Sequence, residues 1–225
     1  MKKILFLATF LVASLFSMDL SGLSNPSQVS NMMQKYNLNN NDVKQYINSI
    51  EKNGVHNPGE YIMLGITYEY GIEKAGIKQD KNKAKFYYKK AHESKITYGT
   101  IKYAIILLNE GKIKKADKML MDLYFSDRKS DTEAKIIIAL KKETSKFLKK
   151  NDEYLFFLTE GAEKYHNDDD ALELFFVKLN GTNGVEKDVK EAEKYLNIAC
   201  KNIKHKEVFE FCKNSNMIVR IKNKD

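Results

Sequence analysis

Apolar residues recur with a helical period along most of the chain. The stretch 80–92 reads DKNKAKFYYKKAH, and its two alanines and two tyrosines stand at positions i, i+3, i+4 and i+7 of one helix face. Lysines occupy the other face. Similar stretches follow one another from Ser24 onward, separated by short polar turns, and the chain contains only two prolines. The pattern predicts an all-α protein made of consecutive helix–turn–helix pairs.

Helix-start signals mark several of these elements. Asn25-Pro26 and Asn57-Pro58 place proline at the first helical position. We expect a first helix from Asn25-Pro26 to about Tyr36 and a second from Asp42 to about Lys52. Glu60 is placed to bond back to the start of its helix, as in a capping box. Asp80 is expected to cap the helix that follows it.

The same pattern of residues occurs twice at a fixed distance. Asp80 and Asp188 are 108 positions apart, as are Ala84 and Ala192, and 108 is three times 36. A period of this length is typical of repeat proteins, in which each unit buries its apolar face against its neighbours. We therefore predict a single α/α solenoid over residues 24–225. Its clearest repeats are 57–93 and 169–202. The segments 97–126 and 131–166 are degenerate repeats, and the second of them is about one residue out of register.

The two clear repeats share a denser motif. The first contains Leu64, Gly65, Tyr68, Gly71, Gly76, Ile77, Asp80, Lys83, Ala84, Tyr87, Tyr88, Lys90 and Ala91. The second contains Ala171, Leu174, Gly181, Gly184, Val185, Asp188, Ala192, Tyr195 and Ala199, with Phe175 in place of a motif glycine. These residues resemble the Sel1-like repeat, a relative of the tetratricopeptide repeat.

The resemblance implies a solenoid that presents a concave groove, lined by the first helix of each pair. Every motif residue has a structural role, so the motif itself implies no chemistry. A protein partner is expected to bind exposed aromatic and charged side chains of the groove. The candidate groove residues are Tyr61, Thr67, Tyr70, Lys102 and Tyr103.

The N-terminus has the pattern of a signal peptide over residues 1–17. Two lysines precede an apolar run of 13 residues, Ile4–Phe16, which is short for a membrane span. An uncleaved N-terminal anchor is the alternative. Either interpretation places the rest of the chain outside the cytoplasm, and we expect a periplasmic or secreted bacterial protein with no other transmembrane segment.

The formal charge of +8 does not indicate nucleic-acid binding. Arg128 and Arg220 are the only arginines, whereas nucleic-acid sites use arginine for bidentate contacts. The lysines alternate with acidic residues along the helices, which indicates a solvated surface; attraction to anionic membranes or acidic partners is the alternative. We therefore expect partners among proteins, including those of the cell envelope, and no nucleic acid.

The chain contains two cysteines, Cys200 and Cys212. In an oxidising compartment a pair of this kind favours a disulfide, here between one helix and a final helix predicted in residues 204–216. Two buried thiols are the alternative.

No residue pattern identifies a catalytic centre, a metal site or a cofactor site. Ser49/Lys52 and Ser126/Lys129 match the S-x-x-K spacing of penicillin-recognising enzymes, but no K-T-G or S-D-N motif accompanies them. The chain also resembles exported cysteine-rich Sel1-like proteins, described as penicillin-binding proteins with weak β-lactamase activity. Those have a cysteine pair in nearly every repeat, and this chain has one. An exported scaffold or adaptor is our main interpretation; a β-lactamase-like enzyme and a secreted factor acting on another cell are the alternatives.

Overall fold

The computed structural model describes residues 39–201 and Cys212. Within this part of the chain all regular elements are helical, which confirms the predicted all-α fold. The predicted signal peptide, the helix expected from Asn25 and the final helix, apart from Cys212, lie outside the described residues. The chain divides into two compact units, residues 1–133 and 134–225.

The first unit contains five complete helices among its described residues. They are α1 Asn40–Asn53, α2 Gly59–Tyr70, α3 Lys81–Glu93, α4 Thr97–Asn109 and α5 Ile113–Tyr124. From α2 to α5 each helix packs against the next, and α2 also contacts α4. This succession of neighbouring pairs is the arrangement of an α/α solenoid.

The second unit begins within α6, Asp131–Phe147. It continues with α7 Asn151–Thr159, a π-helical turn Glu160–Lys164, α8 Asp168–Asn180 and α9 Val189–Ala199. Its core joins α7, the π turn, α8 and α9 through buried residues that include Leu158, Ala162, Phe175 and Leu196.

The helix starts follow from local side-chain hydrogen bonds. The Asp80 carboxylate accepts bonds from the backbone N–H groups of Asn82 and Lys83, both at 3.0 Å, as expected of an N-cap. Glu60 accepts a bond from the His56 N–H at 2.5 Å, the backward contact expected of it. The helix expected from Asp42 begins earlier, at Asn40, because the Asn39 side chain caps it by accepting from the Asp42 N–H at 2.9 Å.

The loops of the two clear repeats share a backbone framework. In the first, the Asp80 N–H donates to the Tyr68 carbonyl at 2.8 Å; in the second, the Asp188 N–H donates to the Lys178 carbonyl at 2.9 Å. Gly71 has φ of +75°, and a Cβ there would lie 2.8 Å from the Gln79 backbone nitrogen. Only glycine meets both constraints without strain.

A π turn interrupts the regular helix near the end of the degenerate repeat 131–166. The Tyr165 N–H donates to the Glu160 carbonyl at 3.2 Å, which is an i to i+5 bond. A π turn absorbs one more residue than a regular helical turn. The chain therefore gains one residue here while the apolar side chains stay on the buried face.

Candidate protein-interaction surface

The five predicted groove residues differ in how much surface they offer. Thr67 and Tyr103 are each only 4% exposed, so the structure places them in the interior of the first unit. Tyr61, Tyr70 and Lys102 are partly exposed. Of these, Tyr70 and Lys102 lie close together although they belong to different helix pairs.

Lys102 is the centre of this group. Its Nζ lies 2.9 Å from the Glu69 carboxylate. It is nearly equidistant from three tyrosine rings, at 5.9 Å from the ring centroid of Tyr70, 5.8 Å from that of Tyr88 and 5.9 Å from that of Tyr98. We call these five residues the Lys102 cluster. The ammonium group thus interacts with one carboxylate and with the faces of aromatic rings.

The lower part of the Lys102 cluster is buried and its upper part reaches solvent. Tyr88 is fully buried and donates a short hydrogen bond to Glu69. Burial raises the pKa of Tyr88, and the nearby Glu69 carboxylate raises it further. Burial likewise raises the pKa of Tyr98, which keeps both phenols neutral. The Glu69 side chain is 32% exposed and that of Lys102 is 14% exposed, so both can be approached by a partner.

The neighbourhood of Tyr103 shows why that residue is buried. Its ring lies 5.9 Å from the His92 ring, and the Lys115 ammonium lies 5.8 Å from its centroid. His92 Nδ1 is 3.1 Å from the Thr100 hydroxyl, and that hydroxyl donates to the Ile96 carbonyl. Burial lowers the pKa of His92. The imidazole is therefore neutral at pH 7, with Nδ1–H donating to Thr100.

A second polar cluster joins α1 to the next helix pair. One oxygen of the Glu51 carboxylate accepts bonds from Tyr68 Oη at 2.7 Å, Lys83 Nζ at 2.9 Å and Tyr87 Oη at 3.0 Å. The Tyr68 and Tyr87 rings stack at 5.8 Å. Burial alone would raise the pKa of Glu51, but the bonds from Lys83, Tyr68 and Tyr87 together lower it.

The second unit contains a similar polar cluster around Glu163, at the matching motif position. Tyr195, which corresponds to Tyr87, donates to Glu163 at 2.9 Å, and Lys194 Nζ lies 2.7 Å from the same carboxylate oxygen. Glu163 belongs to the π turn, as Glu51 belongs to the last turn of α1. In both repeats, a tyrosine and a lysine of one helix therefore bind a glutamate that ends an earlier helix.

The serine–lysine pairs show no catalytic arrangement. Lys129 Nζ donates to the backbone carbonyl of Ser126, and the Ser126 hydroxyl donates to the Leu123 carbonyl. The Ser49 hydroxyl accepts from Asn53. Among the described residues, no group of three or more His, Cys, Asp or Glu side chains is arranged to hold a metal ion.

Cys200 and Cys212 are bonded to each other in the structure, with their Cα atoms 5.8 Å apart. Cys200 packs against the core of the second unit. Over the described part of the chain, none of the helices combines the length and apolar character needed to cross a membrane.

Comparison with known families identifies the repeats. The family model described as Sel1 repeat matches residues 61–93 and 169–202. The chain contains two Sel1 repeats. They lie in the two segments whose sequences show the densest motif, which confirms the resemblance to the Sel1-like family.

Two further comparisons complete this description. The crystal structure of a Sel1 repeat protein from Oxalobacter formigenes is similar at 17% sequence identity, covering 84% of this chain and 93% of that one, with a TM-score of 0.36. No curated protein matches the chain. Sel1 repeats generally serve as protein-interaction scaffolds, and the first of them contains Glu69, Tyr70 and Tyr88 of the Lys102 cluster.

The sequence predicted only part of this surface. Glu69 and Tyr98 were not among the predicted groove residues, although both have a recognisable signal. Tyr98 stands one helical turn before Lys102, and Glu69 directly precedes Tyr70. Tyr88 is a residue of the repeat motif and is fully buried, so the sequence predicted a packing role for it. The sequence gave no sign of its hydrogen bond to Glu69.

Proposed function

We propose that this protein is an exported scaffold or adaptor that binds a protein partner on the surface formed by α2 and α4. The observation that supports this most directly is the Lys102 cluster. It joins the first helices of two consecutive pairs, as the groove of a helical-repeat solenoid requires.

The chemistry of the cluster suits protein recognition. Tyrosines supply a large contact area at low cost in side-chain entropy, and they are enriched at the centres of interfaces. Glu69 and Lys102 add one charge of each sign, already positioned by their mutual contact and by Tyr88. A partner would therefore meet a surface whose side chains are ordered before binding, which reduces the entropic cost of association.

Export is the second part of the proposal. It rests on the positively charged and apolar pattern of residues 1–17 and on the pairing of Cys200 with Cys212, since disulfides persist in oxidising compartments. A periplasmic location would place the scaffold among proteins of the cell envelope, and release from the cell would make it a secreted factor.

The test is a quantitative cross-linked pull-down of the tagged full-length protein from its native cell envelope. We expect a recurrent partner near equal stoichiometry, which is lost on Tyr70→Ala and on Lys102→Ala. Tyr165→Ala and Lys135→Ala are matched controls in the second unit and should retain the partner. Tyr61→Ala reports whether the surface extends to the first turn of α2.

Two results would contradict the proposal. One is a partner that the Tyr70 and Lys102 variants retain in full while their helical circular dichroism is unchanged. The other is the absence of any stoichiometric partner together with turnover of a chromogenic cephalosporin by the purified protein, which would support the β-lactamase-like alternative.

A further inference from the structure

Positive charge in the first unit is concentrated on the second helix of each pair. Helix α3 contains five lysines and one glutamate, whereas α2 contains two glutamates and no lysine. Helix α5 contains three lysines and two aspartates, and one of these, Asp117, is buried. The charge therefore lies away from the first helices that carry the Lys102 cluster.

The lysines of α3 surround an outward-facing phenylalanine. The helix buries Ala84, Tyr88 and Ala91, so the opposite side of its helical wheel is centred on Phe86. Phe86 is 52% exposed. Lys89 and Lys90, three and four positions later, lie beside it on the helix surface.

Helix α5 has a similar outward face. It buries Ala116, Leu120 and Leu123, which leaves exposed Lys114 and Lys118 on the opposite side. Phe125 directly follows the helix and is 67% exposed. We refer to Phe86, Lys89, Lys90, Lys114, Lys118 and Phe125 as the lysine face.

The two halves of the lysine face belong to one side of the first unit. Both α3 and α5 pack against α4. In addition, the Glu110 carboxylate accepts bonds from Lys85 of α3 and from Lys112, which directly precedes α5. This shared carboxylate holds the start of α5 beside the middle of α3.

Acidic neighbours neutralise little of this charge. Lys89 and Lys90 share the single carboxylate of Glu93, at 3.5 and 3.1 Å. Lys114 and Lys118 make no ion pair within the part of the chain that the structure describes. Exposed Asp122 lies four positions after Lys118 on α5, so four lysines stand against two carboxylates and the lysine face keeps an excess of positive charge.

We propose that the lysine face binds the surface of a lipid bilayer that contains anionic headgroups. Lysine ammonium groups are compact, strongly hydrated charges that need no fixed partner geometry, which suits a fluid layer of anionic headgroups. The exposed phenylalanines, one on each half of the face, are able to enter the apolar boundary beneath the headgroups. An acidic protein would be attracted by the same charges, but protein interfaces are depleted in lysine and enriched in arginine, so a face of four lysines favours the headgroup layer.

The test is sedimentation of the full-length protein with vesicles in about 0.1 M salt, where electrostatic attraction is still appreciable. One vesicle preparation is phosphatidylcholine alone, and the other contains about 30% phosphatidylglycerol. The apolar N-terminal run contributes to both, so the ratio of the two affinities is the quantity of interest. We expect anionic vesicles to bind at least about tenfold more tightly, with the preference falling as salt is raised.

Three variants locate the binding. Lys89→Ala/Lys114→Ala/Lys118→Ala should abolish most of the preference. A matched triple variant of exposed lysines in the second unit, Lys135→Ala/Lys187→Ala/Lys190→Ala, should retain it. Phe86→Ala should weaken binding to anionic vesicles and leave its salt dependence unchanged, because it removes apolar contact and no charge.

Each contrary outcome is distinct. Equal binding to the two vesicles, or equal loss in the two triple variants, would overturn the proposal. Absence of vesicle binding combined with tight, salt-sensitive binding to poly-glutamate would show instead that the face recognises acidic proteins. Circular dichroism of each variant establishes that the fold is retained.

Discussion

Glu51 shows how much one carboxylate can join at the residue scale. It lies in α1, and the three groups that donate to it lie in α2 and α3. Glu163 has the same role in the second unit, where Tyr195 and Lys194 donate to it. Both Sel1 repeats therefore have this glutamate cluster, which connects each repeat to the helix or turn that precedes it.

We expect Glu51→Gln to lower the free energy of unfolding by about 1 kcal/mol at pH 7, because the ion pair with Lys83 is lost and the hydrogen bonds to Tyr68 and Tyr87 are weakened. Urea unfolding of the wild type and the variant measures the difference. Glu93→Gln is the matched control. Glu93 also pairs with lysines, but both lie on its own helix and are exposed, so the effect should be close to zero.

The stability difference between the wild type and Glu51→Gln should also depend on pH. The hydrogen bonds lower the pKa of Glu51 in the folded protein, so its contribution is complete above the ordinary carboxyl pKa of 4.5 and is lost as pH falls through the folded value. The stability difference between wild type and Glu51→Gln should therefore shrink as pH falls below about 4.5. A difference that stays constant down to pH 3 would show that the carboxylate charge contributes nothing.

At the scale of helices, the two Sel1 repeats solve one packing problem in opposite ways. In the first, a Cβ on Gly65 would lie 2.5 Å from the Tyr88 ring, so the α2–α3 contact needs glycine opposite a large side chain. In the second, the matching positions are Phe175 and Leu196, and both lie in one core cluster. The large residue has moved from the second helix to the first, and the smaller one is now opposite it.

This exchange predicts a rescue. Gly65→Ala should destabilise the first unit by about 1–3 kcal/mol through overpacking against Tyr88. Combining it with Tyr88→Leu should cost at least about 1 kcal/mol less than the sum of the two single changes, because leucine leaves room for the added methyl group. A double-mutant cycle from denaturant unfolding measures this coupling, and strict additivity would contradict the contact. Gly111→Ala is a useful control, since no atom lies within 4 Å of the added carbon and only its φ of +72° opposes the change.

The sequence predicted the helical elements well because their signals are local. Asp80 and Asp188 cap their helices through residues two or three positions away, and the apolar spacing of α3 follows from one face of one helix. Contacts between side chains of different helices were harder to predict from the sequence. The Lys102–Glu69 contact joins residues 33 positions apart, and nothing in either neighbourhood identifies the other. The sequence showed a shifted register in residues 131–166, but it gave no sign of the π turn that lies near the end of that repeat.

For the whole molecule, the location of the protein determines which interpretation of its surfaces applies. If residues 1–17 are a signal peptide, the exported protein should begin at Met18, and intact-mass measurement of protein from the periplasm or medium should show this. Retention of the first residues with the protein in the membrane fraction would favour the N-terminal anchor. Recovery of the full chain from the cytoplasm would contradict export altogether.

The disulfide connects location to stability. The bond closes a loop of 12 residues, so in an oxidising compartment it should stabilise the protein by about 2–3 kcal/mol, mainly by restricting the unfolded chain. Cys200→Ser/Cys212→Ser should lose this amount in urea unfolding under non-reducing conditions. The wild type treated with a dithiol reductant should fall to the same value, whereas the double variant should not respond to the reductant. If the wild type isolated from its native compartment already contained two free thiols, the bond would contribute nothing there, and the argument for an oxidising location would rest on the N-terminus alone.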